Sequence, residues 1–415
     1  MHAAGLPMNE HDPQPQHESP TPIERNTRVT IGYGEAELAK PLILWINDAL
    51  MGVFFFVVGL EIKREVLAGE LTSLRRALLP IAGAVGGMLV PALLFFAINP
   101  AGLEGRGWGI PMATDIAFAL GVLGLLGSRI PLGLKVFLTA LAIVDDLGAI
   151  IVIAAFYTEH VSLTLLGVGG GLLGVSLILN FLGLRNAIVY FAIGTLVWLA
   201  FLKSGVHATL AAVLMAFTIP ARTRIHGEPF AQRMTALLQR LRASGLPAER
   251  KLLTTQQQNI LQHMGHTVEE MTAPLQQIEH ALVPFVTFVV LPVFALANAG
   301  VAFGGDASVS LVHPVSLGVM AGLLVGKQVG IFGFAWLAVR FGLARLPDGV
   351  TWRQIHAVSV LAGIGFTMAL FVGGLAYRTP NLVNTAKLGI LAASSVATVA
   401  GLVLLWRATK APAKA

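Results

Sequence analysis

An all-α, polytopic membrane protein is the fold class this sequence predicts. Three observations carry it. Of the 415 residues, 55% are hydrophobic and 12% charged, about half the charged share of ~25% usual in soluble proteins. Apolar runs long enough to cross a bilayer core of ~30 Å recur along the chain. Two adjacent acids, Asp145 and Asp146, sit in the middle of one run, and Lys327 in the middle of another. The mean hydropathy of +0.75 agrees. The net charge of +6 does not point to nucleic acid, because the basic residues lie mostly in short segments between apolar runs. With no cysteine, disulfides, thiolate metal sites and cysteine nucleophiles are excluded.

Residues 1–27 are polar and rich in Pro, Gln, His and Glu, without the apolar core of a signal peptide, and predict a disordered arm. Between 28 and 40, Val29 and Ile31 alternate with polar residues before Gly32 and Gly34. This predicts a small extramembrane β-hairpin whose edge can pair with a second copy, though an irregular loop fits the same residues. Apolar runs follow at 41–62, 78–98, 109–127, 132–157, 162–182, 186–204, 206–220, 281–303, 313–340, 353–377 and 384–406, about eleven helices. The long segment 221–279 interrupts them. In it Phe230, Met234, Leu237, Leu238 and Leu241 recur at helical spacing among Arg233, Arg240 and Arg242. They predict a basic amphipathic helix on the cytoplasmic membrane surface, followed by a linker at Gln256-Gln257-Gln258. Orientation follows from lysine and arginine. Lys63, Arg64, Arg75 and Arg76 follow the first run; by alternation, Arg129, Lys135, Arg185, Arg222, Arg224, Arg340, Arg345 and the tail 408–415 fall on the same, cytoplasmic side.

The chemistry concentrates at mid-depth. A central Asp costs roughly 3 kcal/mol to insert, so Asp145 and Asp146 together cost about 6 kcal/mol until a cation, proton or ion satisfies them. Lys327 lies about 20 Å of helix rise from the basic end of its run. It cannot reach water by snorkelling, so a buried partner is expected, with Asp145 or Asp146 at the same depth. Two other runs are interrupted, one by Pro111 with Thr114 and Asp115, the other by Gly363 and Gly365. The order plain, broken, Asp-Asp over 78–157 mirrors Lys, broken, plain over 313–407. Three spans in each set give the sets opposite orientation, so an inverted repeat with two broken, crossing helices around a midplane ion site is predicted. Asp115 would compensate helix dipoles at that crossing. Glu61, Glu65, Glu279 and His280 could form a titratable cluster at a cytoplasmic mouth, or be ordinary solvated helix ends. His207 and Asp48 read first as satisfied structural polar residues.

Taken together, Leu44-Trp-Ile-Asn-Asp48, Gly59-Leu-Glu61-Ile-Lys-Arg-Glu65, Ala113-Thr114-Asp115-Ile-Ala-Phe-Ala, Ala142-Ile-Val-Asp145-Asp146-Leu-Gly, Lys203-Ser-Gly-Val-His207-Ala-Thr, Ala295-Leu-Ala-Asn298, Gly322-Leu-Leu-Val-Gly-Lys327 and Gly363-Ile-Gly-Phe-Thr-Met368 resemble the NhaA family of sodium/proton antiporters. The resemblance runs from about residue 28 onward, the long segment excepted. The inverted-repeat rule used above counts this family among its own examples. The resemblance implies a secondary transporter, not an enzyme, exchanging cytoplasmic Na+ or Li+ for external protons, electrogenic and pH-regulated. It implies a homodimer in the bacterial inner membrane, with a cytoplasmic C-terminus. No cofactor is implied, only the transported ions. Asp146 would be the principal ion ligand and proton carrier, with Asp145 sharing the ion and pairing with Lys327. Thr114 and Asp115 would sit at the crossing and complete the cation- and proton-binding set with Asp145, Asp146 and Lys327. Glu61, Glu65, Glu279, His280 and His207 would serve the pH response.

The sequence departs from the family pattern in three places. The usual first span is absent, an insertion occupies about 227–274, and Val283 stands where a histidine is common. A sodium-coupled symporter, a cation channel or a transport-impaired homologue remain as alternatives. A membrane aspartyl protease also uses two buried acids, but takes them from different helices, whereas Asp145 and Asp146 diverge by about 100° on one, so Asp115 would have to supply the second.

Overall fold

The computed structural model describes residues 28–31, 38–158, 161–225, 227–245, 252–300 and 311–409. The predicted disordered arm and most of the predicted tail lie outside these residues. Two units are distinguished, one ending at Trp45 and one spanning Ile46–Ala415. In the first, strands Arg28–Ile31 and Leu38–Pro41 pair antiparallel, with Val29 opposite Lys40 and Ile31 opposite Leu38. Their connection lies outside the described residues.

The second unit is a helical membrane assembly. Among the described residues, eight helices are long and apolar enough to cross a membrane, and two further helix pairs are bent at short breaks, by 41° and 47°. A shorter apolar helix, Ala208–Thr218, accompanies them. The first bent pair joins Gly102–Met112 to Ile116–Gly124, and the second joins Trp352–Leu361 to Phe366–Ala376. Both breaks fall where the sequence predicts them. In the first, Pro111 has no amide hydrogen to donate, and the chain before the break tightens into a 3₁₀ helix, Arg106–Met112. In the second, Gly363 is pressed so close to Leu323 that an added Cβ would lie 2.5 Å from the Leu323 carbonyl oxygen.

The helix Leu74–Ile98 packs along the lysine helix, Pro314–Arg340. Gly86 and Gly330 meet there backbone to backbone; a Cβ on Gly330 would stand 2.1 Å from the Gly86 carbonyl oxygen. The lysine helix widens into a π turn over Gly322–Gly326, immediately before Lys327, where Gly326 lies against Pro91. π turns are often found at functional sites.

Connections at the helix ends sort into two sets. Lys63 Nζ donates to the carbonyls of Phe217 and Ile219, at 2.6 and 2.5 Å. Arg185 donates to the Thr272 carbonyl at 2.7 Å, and the Leu275 amide to the Pro220 carbonyl at 3.1 Å. Elsewhere, Tyr157 Oη donates to the Arg106 carbonyl at 2.8 Å, Tyr377 Oη to the Glu104 carbonyl at 2.7 Å, and the Ser162 amide to the Ser204 carbonyl at 2.8 Å.

The segment 221–279 differs from its expected form. It holds two helices, Gly227–Ala243 and Thr255–Met271, packed on each other. Phe230, Met234, Leu237 and Leu241 are only half-buried. The predicted linker at Gln256-Gln257-Gln258 is instead the first turn of the second helix. Thr254 accepts from the Gln257 amide and the Gln257 side chain accepts from the Thr254 amide, a reciprocal cap that starts a polar helix. The next apolar helix begins at Pro274 rather than near 280, because proline at the first helical position is pre-set for a helix start.

Candidate functional site

Three helical segments build the centre. The Asp-Asp helix, Leu132–Phe156, buries Asp145 and Asp146 to 0% and 1% exposure. The lysine helix brings Lys327, also 0% exposed, to face them. Lys327 Nζ donates to Asp145 Oδ2 at 2.6 Å and to Thr114 Oγ1 at 2.9 Å. Thr114 spends its own proton on the Ala362 carbonyl, at 3.0 Å. One cation therefore ties the Asp-Asp helix to the first break, and Thr114 ties the first break to the second.

Asp115 closes the crossing from the other direction. Its amide donates to the Ile364 carbonyl at 2.7 Å. Its Oδ1 accepts from the Phe118 amide at 3.1 Å, and its Oδ2 from the Thr367 amide at 2.9 Å. The Thr367 hydroxyl donates to the same Oδ2. Both half-helices that follow the breaks thus direct their N-terminal amides at one carboxylate. Two partial positive helix ends meet one negative charge. Asp115 is used up holding the crossing together, unlike the pair on the Asp-Asp helix.

Asp145 Oδ1 and Asp146 Oδ1 are buried, and neither has a hydrogen-bond partner among the described residues. Buried carboxylate oxygens without a donor are costly, and a hard cation or a proton would satisfy either. Asp146 also lies within electrostatic reach of Asp145, Asp115 and Glu61. The arrangement therefore supplies two carboxylates, one hydroxyl and one lysine in a site screened from water.

A second cluster surrounds Arg64. Its Nη1 donates to Glu279 Oε1 at 2.6 Å and its Nη2 to Glu65 Oε1 at 3.0 Å, with Glu61 Oε1 at 3.9 Å. Arg64, Glu279 and His280 line a cavity of about 780 Å³ with Gln276 and Gln277. The structure brings Glu61, Glu65, Glu279 and His280 together as expected from sequence, but organises them on an arginine that the sequence reading left unassigned. His207 does not join them. It stands at the start of the helix Ala208–Thr218, whose other end is held by Lys63. Its Nε2 lies 3.0 Å from the Tyr157 carbonyl, which only accepts, so that nitrogen carries the proton.

Sequence reasoning missed Thr367 as a partner of Asp115. The pair is 252 positions apart, and no local signal joins them. The threonine stands one residue after the Gly365-Phe366 pair, so a hydroxyl at the start of a half-helix was the available clue.

The family model for "Na+/H+ antiporter 1" matches residues 22–405. The chain belongs to this family. A relative from Oleidesulfovibrio alaskensis, described as a Na(+)/H(+) antiporter NhaA, is 51% identical over 383 residues, covering 92% of this chain and 84% of its own. A relative from Koribacter versatilis is 50% identical over 376 residues, covering 91% and 81%. One from Salmonella typhi is 47% identical over 390 residues, covering 93% and 89%. Both carry the same description. In this member of a transporter family, Asp115, Asp145, Asp146 and Lys327 are buried where the breaks of two bent helix pairs meet.

Proposed function

We propose that this chain exchanges Na+ for H+ across a membrane through one site, for which cation and protons compete. The observation that carries the reading is the buried Asp145–Lys327 pair beside Asp146, with a carboxylate oxygen on each acid left without a donor among the described residues. The relatives described as Na(+)/H(+) antiporters support the same exchange.

Asp146 is the principal ligand and proton carrier, and Asp145 shares the ion. Sodium prefers oxygen donors, which two carboxylates and Thr114 supply. When the ion enters, Asp145 exchanges its bond to Lys327 for a bond to the ion. When protons return, the ion leaves and the pair re-forms. While the ion is bound, Lys327 has lost its carboxylate partner and gives up a proton. On return, one proton goes to Asp146 and one to Lys327 as its pair with Asp145 re-forms, so two protons replace one sodium. One net charge then crosses per cycle, and at ~2.3 kcal/mol per charge per 100 mV the membrane potential drives exchange. Asp115 and Thr367 position the crossing and do not touch the ion. Neither broken span needs to open as a channel.

The two bent pairs support an inverted repeat, 78–157 against 313–407, with the breaks meeting at Asp115. The Arg64 cluster is the mouth on the cytoplasmic side and sets the pH response. The tail is cytoplasmic in the bacterial inner membrane, by the lysine and arginine distribution. The strand pair at 28–41 offers an edge on which a second copy pairs to form a homodimer.

The test is sodium-driven proton movement in proteoliposomes. Wild type shows exchange, and Asp146→Ala shows none. Exchange at the wild-type rate in that variant would refute the assignment. Uptake of an organic solute with sodium would favour a symporter instead.

A further inference from the structure

Away from the ion site, a cavity of about 370 Å³ opens where three helix ends converge. It is lined by Phe332, Trp352, Arg353, His356, Leu404 and Arg407. Arg353 lies in the first turn of the helix Trp352–Leu361, and Arg407 in the last turn of Pro380–Ala408. Neither guanidinium has an ion pair or hydrogen bond among the described residues. Two like charges facing one cavity repel each other unless an anion sits between them. The Trp352–Leu361 helix adds its positive N-terminal end to the same space.

The walls differ from the mouth. Phe332 stacks edge-on against both Trp352, with ring centroids 5.6 Å apart, and His356, also at 5.6 Å. Phe332 sits eight residues before Arg340, about 12 Å of helix rise below the end of its span. The cavity therefore runs from a cationic mouth at the membrane boundary down an aromatic and aliphatic wall. Beside it, Trp336, Leu337, Val403 and Trp406 are 46%, 40%, 42% and 42% exposed on the outside of the same spans. Such a gradient, basic at the boundary and apolar below, matches one molecule with a phosphate at one end and hydrocarbon at the other. A soluble anion would use the arginines and leave the wall unused.

We propose that this cavity binds the phosphate of an anionic phospholipid. Arg353 and Arg407 grip the phosphate oxygens, with the fork geometry that suits guanidinium to phosphate. His356 offers a further donor, and Trp352 holds the interfacial depth, as tryptophans at membrane boundaries do. Basic recesses between spanning helices are a recurrent way to hold lipid headgroups. The site joins the lysine helix, the second bent span and the last helix at one end. A bound lipid would therefore brace elements that carry the ion site without touching it.

The test is native mass spectrometry of the full chain in detergent with phosphatidylglycerol, phosphatidylcholine or inorganic phosphate. Wild type is expected to retain phosphatidylglycerol in preference to phosphatidylcholine. The double variant R353Q/R407Q is expected to lose that retention by about tenfold or more, two basic contacts being removed, while still exchanging ions. Equal retention by wild type and the variant would overturn the proposal, as would equal retention of the two lipids. Inorganic phosphate displacing the lipid at matched concentration would overturn the lipid source. Hydrogen exchange on the wild type needs no variant. Phosphatidylglycerol should protect amides 352–356 and 404–408, and unchanged exchange there contradicts the site.

Discussion

Two clusters in this molecule each gather carboxylates around a single cation, and they differ in water. At the centre, Lys327 serves Asp145, with Asp146 adjacent, and the ion-paired side chains are 0% exposed. At the mouth, Arg64 serves Glu61, Glu65 and Glu279, and is 36% exposed. Water around Arg64 can neutralise whatever the cluster leaves unbalanced. No solvent reaches the central pair, so its charge balance must come from protein, proton or ion. Under the proposed function, that difference lets the same ingredients serve as a titratable feature in one place and as an exchange site in the other. A buried ion pair contributes little net stability when intact but costs much when half of it is removed. An exposed one costs little either way.

The sharpest way to break this contrast is to remove one central partner. Lys327→Ala leaves Asp145 buried without its cation, which should cost about 3–5 kcal/mol of stability, read as a fall in thermal midpoint in detergent. Removing both charges in Asp145→Asn with Lys327→Gln should recover part of that loss, because no lone charge remains. If the single and double variants melted alike, burial would not be what distinguishes the centre.

The second largest effect is steric. Gly330→Leu forces a side chain onto the Gly86 carbonyl and pushes the lysine helix away from its neighbour. Overpacking of this kind costs about 1–3 kcal/mol, and exchange should fall even where the protein still assembles, because Lys327 moves from Asp145. Flux per folded molecule checks this.

At the mouth, Arg64→Gln should cost about 1–2 kcal/mol of stability, less than at the centre, because Arg64 is 36% exposed although its partner Glu279 is only 9% exposed. It should instead displace the pH at which exchange switches on, measured by flux across a pH series. A large stability loss with an unmoved pH profile would erase the distinction between the clusters.

The smallest effect belongs to His207. Its ring is tied to the Tyr157 carbonyl at 3.0 Å, away from Arg64, a hydrogen bond worth about 1 kcal/mol. His207→Ala should cost about that much stability, read as a fall in thermal midpoint, without moving the alkaline response. A variant that moved the alkaline response would return His207 to the mouth's function.

Much of the centre was legible from sequence because lipid enforces simple rules. Charged residues in apolar runs are expensive, so Asp145, Asp146 and Lys327 declared themselves. Pro111 and the glycines at 363 and 365 marked breaks for the same reason, since interrupted backbone in a membrane needs a protein partner. Long-range pairing was not legible. Nothing near Thr367 says that its hydroxyl meets Asp115, and nothing near Arg64 says that it reaches Glu279. The polar helix Thr255–Met271 was misread because three glutamines outweighed the Thr254–Gln257 cap. The start at Pro274 was misread because four polar residues precede the apolar run. Outside lipid, the hydropathy rule weakens and local capping decides.

The central claim is that sodium and protons compete for Asp145 and Asp146. Proton release on adding sodium to the purified, weakly buffered protein tests it most directly. The account predicts release from wild type that saturates with sodium and disappears in Asp145→Asn with Asp146→Asn. Sodium binding to the wild type without proton release, or undiminished release from the double variant, would contradict it.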